Sequence, residues 1–379
     1  MDFQLTDEQR MTQKMVHDFA ERELAPIAAE IDEESRFPGE IVGKMAELGL
    51  FGLPFPEEYG GAGPDTLAYA IAVEEISRVS ASTGITFAAH CSLGTAPLYL
   101  FGTPEQKERW LFPLIRGKFL GAFGLTEPNA GSDAGGTQTT AVRDGDEWVI
   151  NGSKCFITNA SYAGVVVITA LTAKGQGSRG ISSIIVPAGT RGFSIGKKYR
   201  KLGLQASDTA ELIFEDCRVP LANLLGREGQ GFKQFLEILD GGRIGIAAMA
   251  VGIAQGCLDA SLKYARERVQ FGQSISKFQA IQFKLADMAT QIELARLATW
   301  RAAWLKDHHQ PFTKEAAMAK LFASETASWA AGQAVQIHGG YGYMKEYPVE
   351  RYFRDAKLTE IGEGTSEIQR LVIARQLGC

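Results

Sequence analysis

Paired cysteines are missing from this chain: Cys91, Cys155, Cys217, Cys257 and Cys379 are scattered, odd in number and without a C-x-x-C pair. That spacing argues against a disulfide framework or a structural zinc site and favours a reducing compartment. An excess of basic charge is missing too. Thirty-nine Lys and Arg against 44 Asp and Glu leave a formal charge of −5, so no nucleic acid or anionic membrane is expected as partner. The longest apolar run, around Ala163 to Ala173, is too short to cross a bilayer. Histidine is scarce, and His17, His90, His308, His309 and His338 show no H-E-x-x-H or comparable ligand spacing, which disfavours metal catalysis. The one G-x-S-x-G string, Gly192 to Gly196, lies in the β-rich middle stretch and opens no helix, and no Walker-type loop and no G-x-G-x-x-G opening a βαβ unit is present, so serine hydrolases, P-loop enzymes and Rossmann-type nicotinamide enzymes drop out. The segment Met1 to Arg10 is polar and acidic, unlike a secretory signal or a transit peptide. A cytoplasmic protein is expected, and a mitochondrial matrix protein with its transit peptide removed reads the same way.

What is present is size and a threefold change of pattern. A chain of 379 residues with a 45% hydrophobic share has room for two or three units and a substantial core. Residues 1–120 read as helical: Thr6 and Gln9 have capping-box spacing, Met11, Met15 and Phe19 share a helical face, and further helix is expected over Tyr69 to Val79 and Glu105 to Ile115. Residues 121–232 read as a small antiparallel β-sandwich or barrel. Asp144-Gly145 marks a hairpin, Asn151-Gly152 a second turn, and Val165 to Thr172, Ile181 to Val186 and Leu212 to Phe214 are strand-like. Residues 233–379 return to helical periodicity, with Ile281, Leu285, Met288 and Ile292 in one stripe, and are expected to form a four-helix bundle. The fold class is therefore mainly α with a β middle domain. Trp300, Trp304 and Trp329 are read as packing residues, and His308-His309 as a solvated helix end.

Three local features carry chemistry. Thr126 to Asp133, T-E-P-N-A-G-S-D, offers hydroxyls and backbone N–H groups to a phosphate or a heterocycle edge, although an ordinary surface loop explains it as well. Gln336 to Tyr343, Q-I-H-G-G-Y-G-Y, removes side chains at a helix end, where a flat or phosphate-bearing ligand could approach; a glycine C-cap is the alternative. In Gly362-Glu363-Gly364-Thr365-Ser366, the spacing of Ser366 and Gln369 predicts a capping box, which puts Glu363 on the loop entering the last helix. A carboxylate closed off from water by an apolar ligand gains proton affinity and suits a general base, while the nearby helix N-terminus favours the anion.

These features occur together, in this order, in the acyl-CoA dehydrogenase family, which the sequence resembles over essentially its whole length. The resemblance is carried by F-G-L-T-E-P-N-A-G-S-D-A-G-G at Phe123 to Gly136 and by Y-P-V-E-R-Y-F-R-D-A-K and I-G-E-G-T-S-E-I-Q-R-L-V-I-A-R within Tyr347 to Arg375. R-V-Q-F-G at Arg268 to Gly272 and the segment Leu239 to Ile246 add to it, and short-chain, butyryl-CoA-type members are the nearest in pattern. The resemblance implies FAD as cofactor. It implies flavin contacts at Phe123, Leu125 and Thr126, a cofactor or CoA contact at Ser132, and a flavin-N5 element at Phe156, Ile157 and Thr158. It implies further FAD contacts at Arg268, Phe271, Gln279, Gln336 and Gly340, some across a subunit interface of a homotetramer built as a dimer of dimers, and at Thr365 and Glu367. Asp240, Arg243 and Gly364 match substrate positions. Glu363 matches the catalytic base, which takes the α-proton of an acyl-CoA thioester on the way to a trans-2-enoyl-CoA, with electrons passing to electron-transferring flavoprotein.

Departures from the family pattern bear on the substrate. Some relatives carry the base at the position of Gly242, which cannot serve, so Glu363 stands alone. Gly84 occupies the position of an arginine that holds a distal carboxylate in glutaryl-type relatives, which disfavours a dicarboxylyl substrate. Gly362 replaces the tyrosine that precedes the base in many straight-chain members, and a wider pocket accepting branched or alicyclic acyl groups is expected. An acyl-CoA oxidase that returns electrons to oxygen, and a non-catalytic flavoprotein assembly partner, are the competing readings.

Overall fold

The computed structural model describes residues 4–379; the first three residues of the polar start lie outside the described residues. Helices come first, one eight-stranded sheet follows, and helices close the chain. Helix α1 (Asp7–Phe19) opens with the expected capping box: Thr6 Oγ1 accepts from Gln9 N–H at 3.2 Å and Gln9 Oε1 from Thr6 N–H at 3.1 Å. Helix α2 (Thr66–Val79) is buried along most of its length, and its first turn is capped twice. Asp65 accepts from Ala68 N–H at 2.7 Å, and Asp307, distant in sequence, accepts from Thr66 and Leu67 N–H at 2.9 and 3.2 Å. The shorter α3 (Ala81–Ala89) completes the part of the helical unit that faces the site.

The sheet runs β6-β7-β3-β2-β4-β5-β8, with β1 added on β4. Its strands are β1 (Leu120–Gly124), β2 (Thr140–Asp144), β3 (Glu147–Thr158), β4 (Ala163–Leu171), β5 (Ile181–Pro187), β6 (Phe193–Lys198), β7 (Thr209–Pro220) and β8 (Leu224–Leu225). Pairing is antiparallel except where β1 and β2 run parallel to β4. The hairpin at Asp144-Gly145 forms as the sequence predicts. Asn151-Gly152 does not make a turn. It lies inside the twelve-residue β3, where the register against β7 shifts between Ile150 and Gly152, a bulge that the Gly152 φ of +142° permits. The Asn151 side chain locks the bulge from across the sheet, accepting from Asp216 N–H at 2.8 Å and donating to Asp216 Oδ1 at 3.0 Å.

The last unit is built on α4 (Gly231–Glu267), followed by a two-strand hairpin, β9 (Val269–Gln270) with β10 (Gln273–Ser274), and by α5 (Gln279–Asp307), α6 (Thr313–His338), α7 (Val349–Thr359) and α8 (Ser366–Gln376). By length and composition α4 could cross a membrane, but 83% of its most apolar window is buried inside the protein. The sequence reading expects helix here but does not single out this apolar window, which glycines interrupt. Those glycines bring neighbours close: a Cβ at Gly256 would stand 2.5 Å from the Arg78 carbonyl, and one at Gly252 would overlap the Glu74 carbonyl of α2. Met288 and Ile292 of the predicted stripe are fully buried, whereas Trp304 is half exposed and stacks on His308 rather than packing in the core.

The helical unit meets the sheet at His90. Its Nδ1 accepts from Gly121 N–H at 3.1 Å and its Nε2–H faces the Leu114 carbonyl at 3.1 Å, so the buried ring is held neutral. Burial, opposed by the Leu114 bond, brings its pKa down to about 4. A histidine whose folded pKa lies below its unfolded value contributes stability that is lost as pH falls from about 6.5 to about 4. Over that window the wild type should lose roughly 3 kcal/mol more stability than a His90→Gln variant. Urea midpoints of both proteins at pH 7, 5.5 and 4.5 check this.

Candidate active site

The predicted site residues fall into three groups. The first is built on the sheet. Phe123 is buried in β1, and Leu125 and Thr126 lead from it into a loop whose exposed end carries Ser132. Phe156, Ile157 and Thr158 end β3. Phe156 is held at a φ of +61° with 62% of its surface exposed, and its ring lies 4.9 Å from that of Tyr199. A bulky aromatic in the left-handed region and open to solvent is a place to look for function.

A buried ion pair that the sequence reading missed joins the loop to the strand. Lys154 Nζ donates to Glu127 Oε1 at 2.6 Å, to the Leu125 carbonyl at 3.2 Å and to Thr169 Oγ1 at 3.2 Å. Glu127 accepts from Gln138 N–H at 2.7 Å and Thr139 N–H at 3.1 Å, and Cys155 N–H donates to the Thr126 carbonyl at 2.9 Å. Burial brings the Lys154 pKa down to about 8 against the pull of Glu127. The Glu127 carboxyl, which burial would raise, is held below its usual range by Lys154 and the loop amides. The signal was a lysine at an inward position of β3; the alternation alone marks it only as irregular.

The second group surrounds Glu363. The loop after α7 is closed at both ends by its own backbone, Gly362 N–H to the Leu358 carbonyl at 2.8 Å and Ser366 N–H to the Glu360 carbonyl at 2.9 Å. The cap of α8 is Thr365, whose hydroxyl accepts from Ile368 N–H at 3.3 Å, and not Ser366 as the capping-box spacing predicts. Gln369 turns back instead, donating to the Gly364 carbonyl at 2.8 Å and the Glu363 carbonyl at 3.3 Å. Glu363 Oε2 is shut off from solvent and has no hydrogen-bond partner in the protein. It rests on bare backbone of α4, since a Cβ at Gly242 would overlap it. Burial raises the carboxyl pKa to about 7 against the opposing charges of Lys320 and Arg243. Arg243 and Asp240 pair with each other on α4, and Asp240 also accepts from Thr313 Oγ1 at 2.6 Å. Lys320, also missed by the sequence reading, is fully buried in the alanine-rich face of α6 and donates to the Gly364 carbonyl at 2.7 Å. Thr365 and Glu367 lie at the start of α8, the latter exposed.

The third group, Arg268, Phe271, Gln279, Gln336 and Gly340, gathers around the far end of α4. Arg268 ends that helix 25 residues beyond Arg243, roughly 38 Å at 1.5 Å per residue. Its guanidinium lies over the Tyr341 ring at 5.4 Å, and Phe271, at the hairpin tip, is 94% exposed. A Cβ at Gly339 or Gly340 would meet nothing within 4 Å, whereas one at Gly342 would stand 2.5 Å from the Val335 carbonyl. The first two glycines open a surface and the third serves packing. No group of three His, Cys, Asp or Glu with metal-binding proximity occurs among the described residues.

Sequence profiles for the acyl-CoA dehydrogenase N-terminal, middle and C-terminal domains match residues 6–118, 122–217 and 229–378. The chain belongs to the acyl-CoA dehydrogenase family. It is an oxidoreductase of a family of flavoproteins, and acyl-CoA dehydrogenation is its reaction class. It is 65% identical to the probable acyl-CoA dehydrogenase YngJ of Bacillus subtilis over 100% of both chains. It is similar to the solved butyryl-CoA dehydrogenase of Megasphaera elsdenii, at 48% identity and a TM-score of 0.98 over 100% of each chain. A solved chain from work on the electron transferring flavoprotein of Acidaminococcus fermentans, toward a mechanism of flavin-based electron bifurcation, is 54% identical with a TM-score of 0.99. That match covers 100% of this chain and 99% of the other.

The ion pair beneath the sheet loop should govern the stability of this acyl-CoA dehydrogenase. Lys154→Met strands the Glu127 carboxylate and should cost roughly 3–5 kcal/mol in denaturant unfolding. Adding Glu127→Gln to that variant should recover part of the loss.

Proposed function

We propose that this chain is an FAD-dependent dehydrogenase of short-chain acyl-CoA thioesters, branched and alicyclic ones included, with Glu363 as its base. The observation that carries the reading is the Glu363 carboxylate. Its Oε2 is unpartnered, shut from water and set on the bare backbone of Gly242, and burial raises the carboxyl to a pKa of about 7, which suits proton abstraction near neutrality.

The sheet group fits a flavin by its chemistry: half-exposed hydroxyls at Thr126 and Thr158, an exposed one at Ser132 and the exposed Phe156 ring lie on a rigid strand and its clamped loop. Leu125 and Ile157 supply apolar neighbours. Bound FAD supplies the acceptor for the β-hydrogen. Glu363 takes the α-proton, and its backbone N–H donates to the thioester oxygen, where negative charge develops. Gly364 lets the CoA thioester lie close to the loop, and the Arg243–Asp240 pair lines the helix beneath it. Product is the trans-2-enoyl-CoA, and electron-transferring flavoprotein is the proposed electron acceptor, a reading supported by the Acidaminococcus similarity.

Arg268, Phe271, Gln279, Gln336 and Gly340, with Thr365 and Glu367, are assigned to the dinucleotide part of FAD. The roughly 38 Å along α4 between Arg268 and Arg243, and the exposed Phe271, support service to a second copy of the chain in a homotetramer built as a dimer of dimers. The working units are 1–120, 121–232 and 233–379, in a protein of the cytoplasm or of the mitochondrial matrix.

Substrate shape rests on two glycines. A Cβ at Gly362 would make ordinary contacts with Leu358 at 3.5 to 4.0 Å, so the backbone accepts a side chain there that the sequence omits. At Gly84 a Cβ would overlap Ser77 Oγ in a fully packed helix pair, which leaves no room for a group that would hold a second carboxylate.

In an anaerobic titration, straight, branched and alicyclic short-chain acyl-CoAs should each bleach the flavin absorbance. Glu363→Gln should slow that bleaching by roughly 10²- to 10⁴-fold, and an unimpaired variant would remove Glu363 as base. Gly362→Tyr should fold normally and lose roughly tenfold or more in kcat/KM on branched and ring substrates while keeping butyryl-CoA turnover. Because the base acts ionised, kcat/KM should rise with pH through about 7 and then level.

A further inference from the structure

Glu363 and Gly364 both lie in the left-handed region, with φ of +52° and +94°. Glycine takes that conformation freely, but a glutamate there is uncommon and is held by its surroundings. Help comes from two side chains that converge on one carbonyl. Lys320 Nζ reaches the Gly364 carbonyl from α6 at 2.7 Å, and Gln369 Nε2 reaches the same oxygen from α8 at 2.8 Å. Both side chains are fully buried. Lys320 is surrounded on its own helix by Ala316, Ala317, Ala319 and Ala323, all fully buried, so its ammonium has little competing solvation.

We propose that Lys320 is a positioning residue for the dehydrogenation: from behind the loop its ammonium pins the Gly364 carbonyl, fixes Glu363 in its left-handed backbone, and keeps the carboxylate ionised before the thioester arrives. The proposal rests on Glu363 being the base. Two roles are separable because two groups share the clamp. Gln369 supplies a neutral donor and can only position. Lys320 supplies a donor and a charge.

The charged groups around the carboxylate are few. Lys320 comes from α6 and Arg243 from α4, the latter paired with Asp240; Glu360 precedes the loop, Glu367 is exposed at the start of α8, and the phenol of Tyr69 faces the site from α2. With Arg243 already engaged by Asp240, Lys320 is the cation without a carboxylate partner in a hydrogen bond, and Glu363 is its nearest counter-charge in effect. Burial brings Lys320 down to a pKa of about 8, so it stays charged at neutrality while sitting close enough to that limit to be sensitive to its surroundings.

The test compares Lys320→Met, Lys320→Arg and Gln369→Met in the FAD-loaded enzyme, with Glu363→Gln as reference. Readouts are the pH profile of kcat/KM for butyryl-CoA and, with no substrate present, infrared titration of the Glu363 carboxyl as the difference from Glu363→Gln. Lys320→Met should move both the acidic limb and the carboxyl titration upward by about one pH unit or more, a roughly tenfold change in proton affinity. It should also lower kcat more than it raises KM. Gln369→Met should lower kcat with the limb unmoved, and Lys320→Arg should restore the limb to near its wild-type position. An unmoved limb and carboxyl titration in a folded Lys320→Met protein overturn the proposal. So does an equal shift in Gln369→Met, which would make the effect one of loop disorder alone. If Lys320→Met does not fold, Lys320→Arg carries the test: a carboxyl titration that shifts by a pH unit or more although the charge is kept overturns the proposal as well. Full activity in Glu363→Gln would instead remove the base assignment on which the proposal stands.

Discussion

A helix that carries glycine at 242, 245, 252 and 256 can be approached on one face by other backbones, and most of this molecule is arranged around that approach. At 100° per residue the four positions fall within an arc of about 80°. Each leaves out a side chain that would strike something named: Glu363 at 242, the Tyr69 hydroxyl at 245, the Glu74 carbonyl at 252 and the Arg78 carbonyl at 256. Every one of these glycines weakens the helix by up to about 1 kcal/mol relative to alanine. In return α2 packs against α4 at backbone distance, and the stripe that docks the helical unit continues directly into the seat of the carboxylate. The site is therefore an extension of the packing between units and is not a pocket added to a finished scaffold.

The two buried lysines follow a shared physical logic. Lys154 and Lys320 sit among apolar atoms, are drawn down to a pKa of about 8 by burial, and each donates to a backbone carbonyl of a loop that carries site residues, Leu125 in one case and Gly364 in the other. They differ in their counter-charge. Lys154 has Glu127 in direct contact and the pair is self-contained, so its loop is rigid whatever binds there. Lys320 has no carboxylate in contact, and its charge remains available to the Glu363 carboxyl nearby. An ion pair satisfied on the spot builds structure; a cation left partly unsatisfied sets the electrostatics of its neighbour.

Much of this was legible in the amino acids. The order of helical, β and helical units follows from periodicity, the Thr6 and Gln9 box from spacing, the hairpin from Asp144-Gly145, and the place of Glu363 on the loop entering the last helix from the glycines and capping residues around it. Other features were hidden for identifiable reasons. Asn151-Gly152 has the composition of a turn, but the twelve-residue strand around it gains more from pairing with β7 and absorbs the pair as a bulge. Thr365 and Ser366 are both competent caps, and only the loop geometry decides between them, after which Gln369 is free to bind the loop that carries Glu363. Lys154 and Lys320 could not be assigned, because a lysine in an apolar run says that something must neutralise it without saying what. The inter-helix cap from Asp307 to α2 joins residues some 240 positions apart and leaves no local trace.

The left-handed backbone at Glu363 also bears on how such a protein drifts. Glycine adopts that conformation without strain and asparagine with little, whereas glutamate is held there by its surroundings against an opposing preference of the order of 1 kcal/mol. Replacement of Glu363 by glycine or asparagine would therefore tend to make the folded chain more stable. Selection for robustness alone would favour such a replacement over the glutamate. A copy of the chain kept for its stability alone should lose the glutamate early and keep its shape.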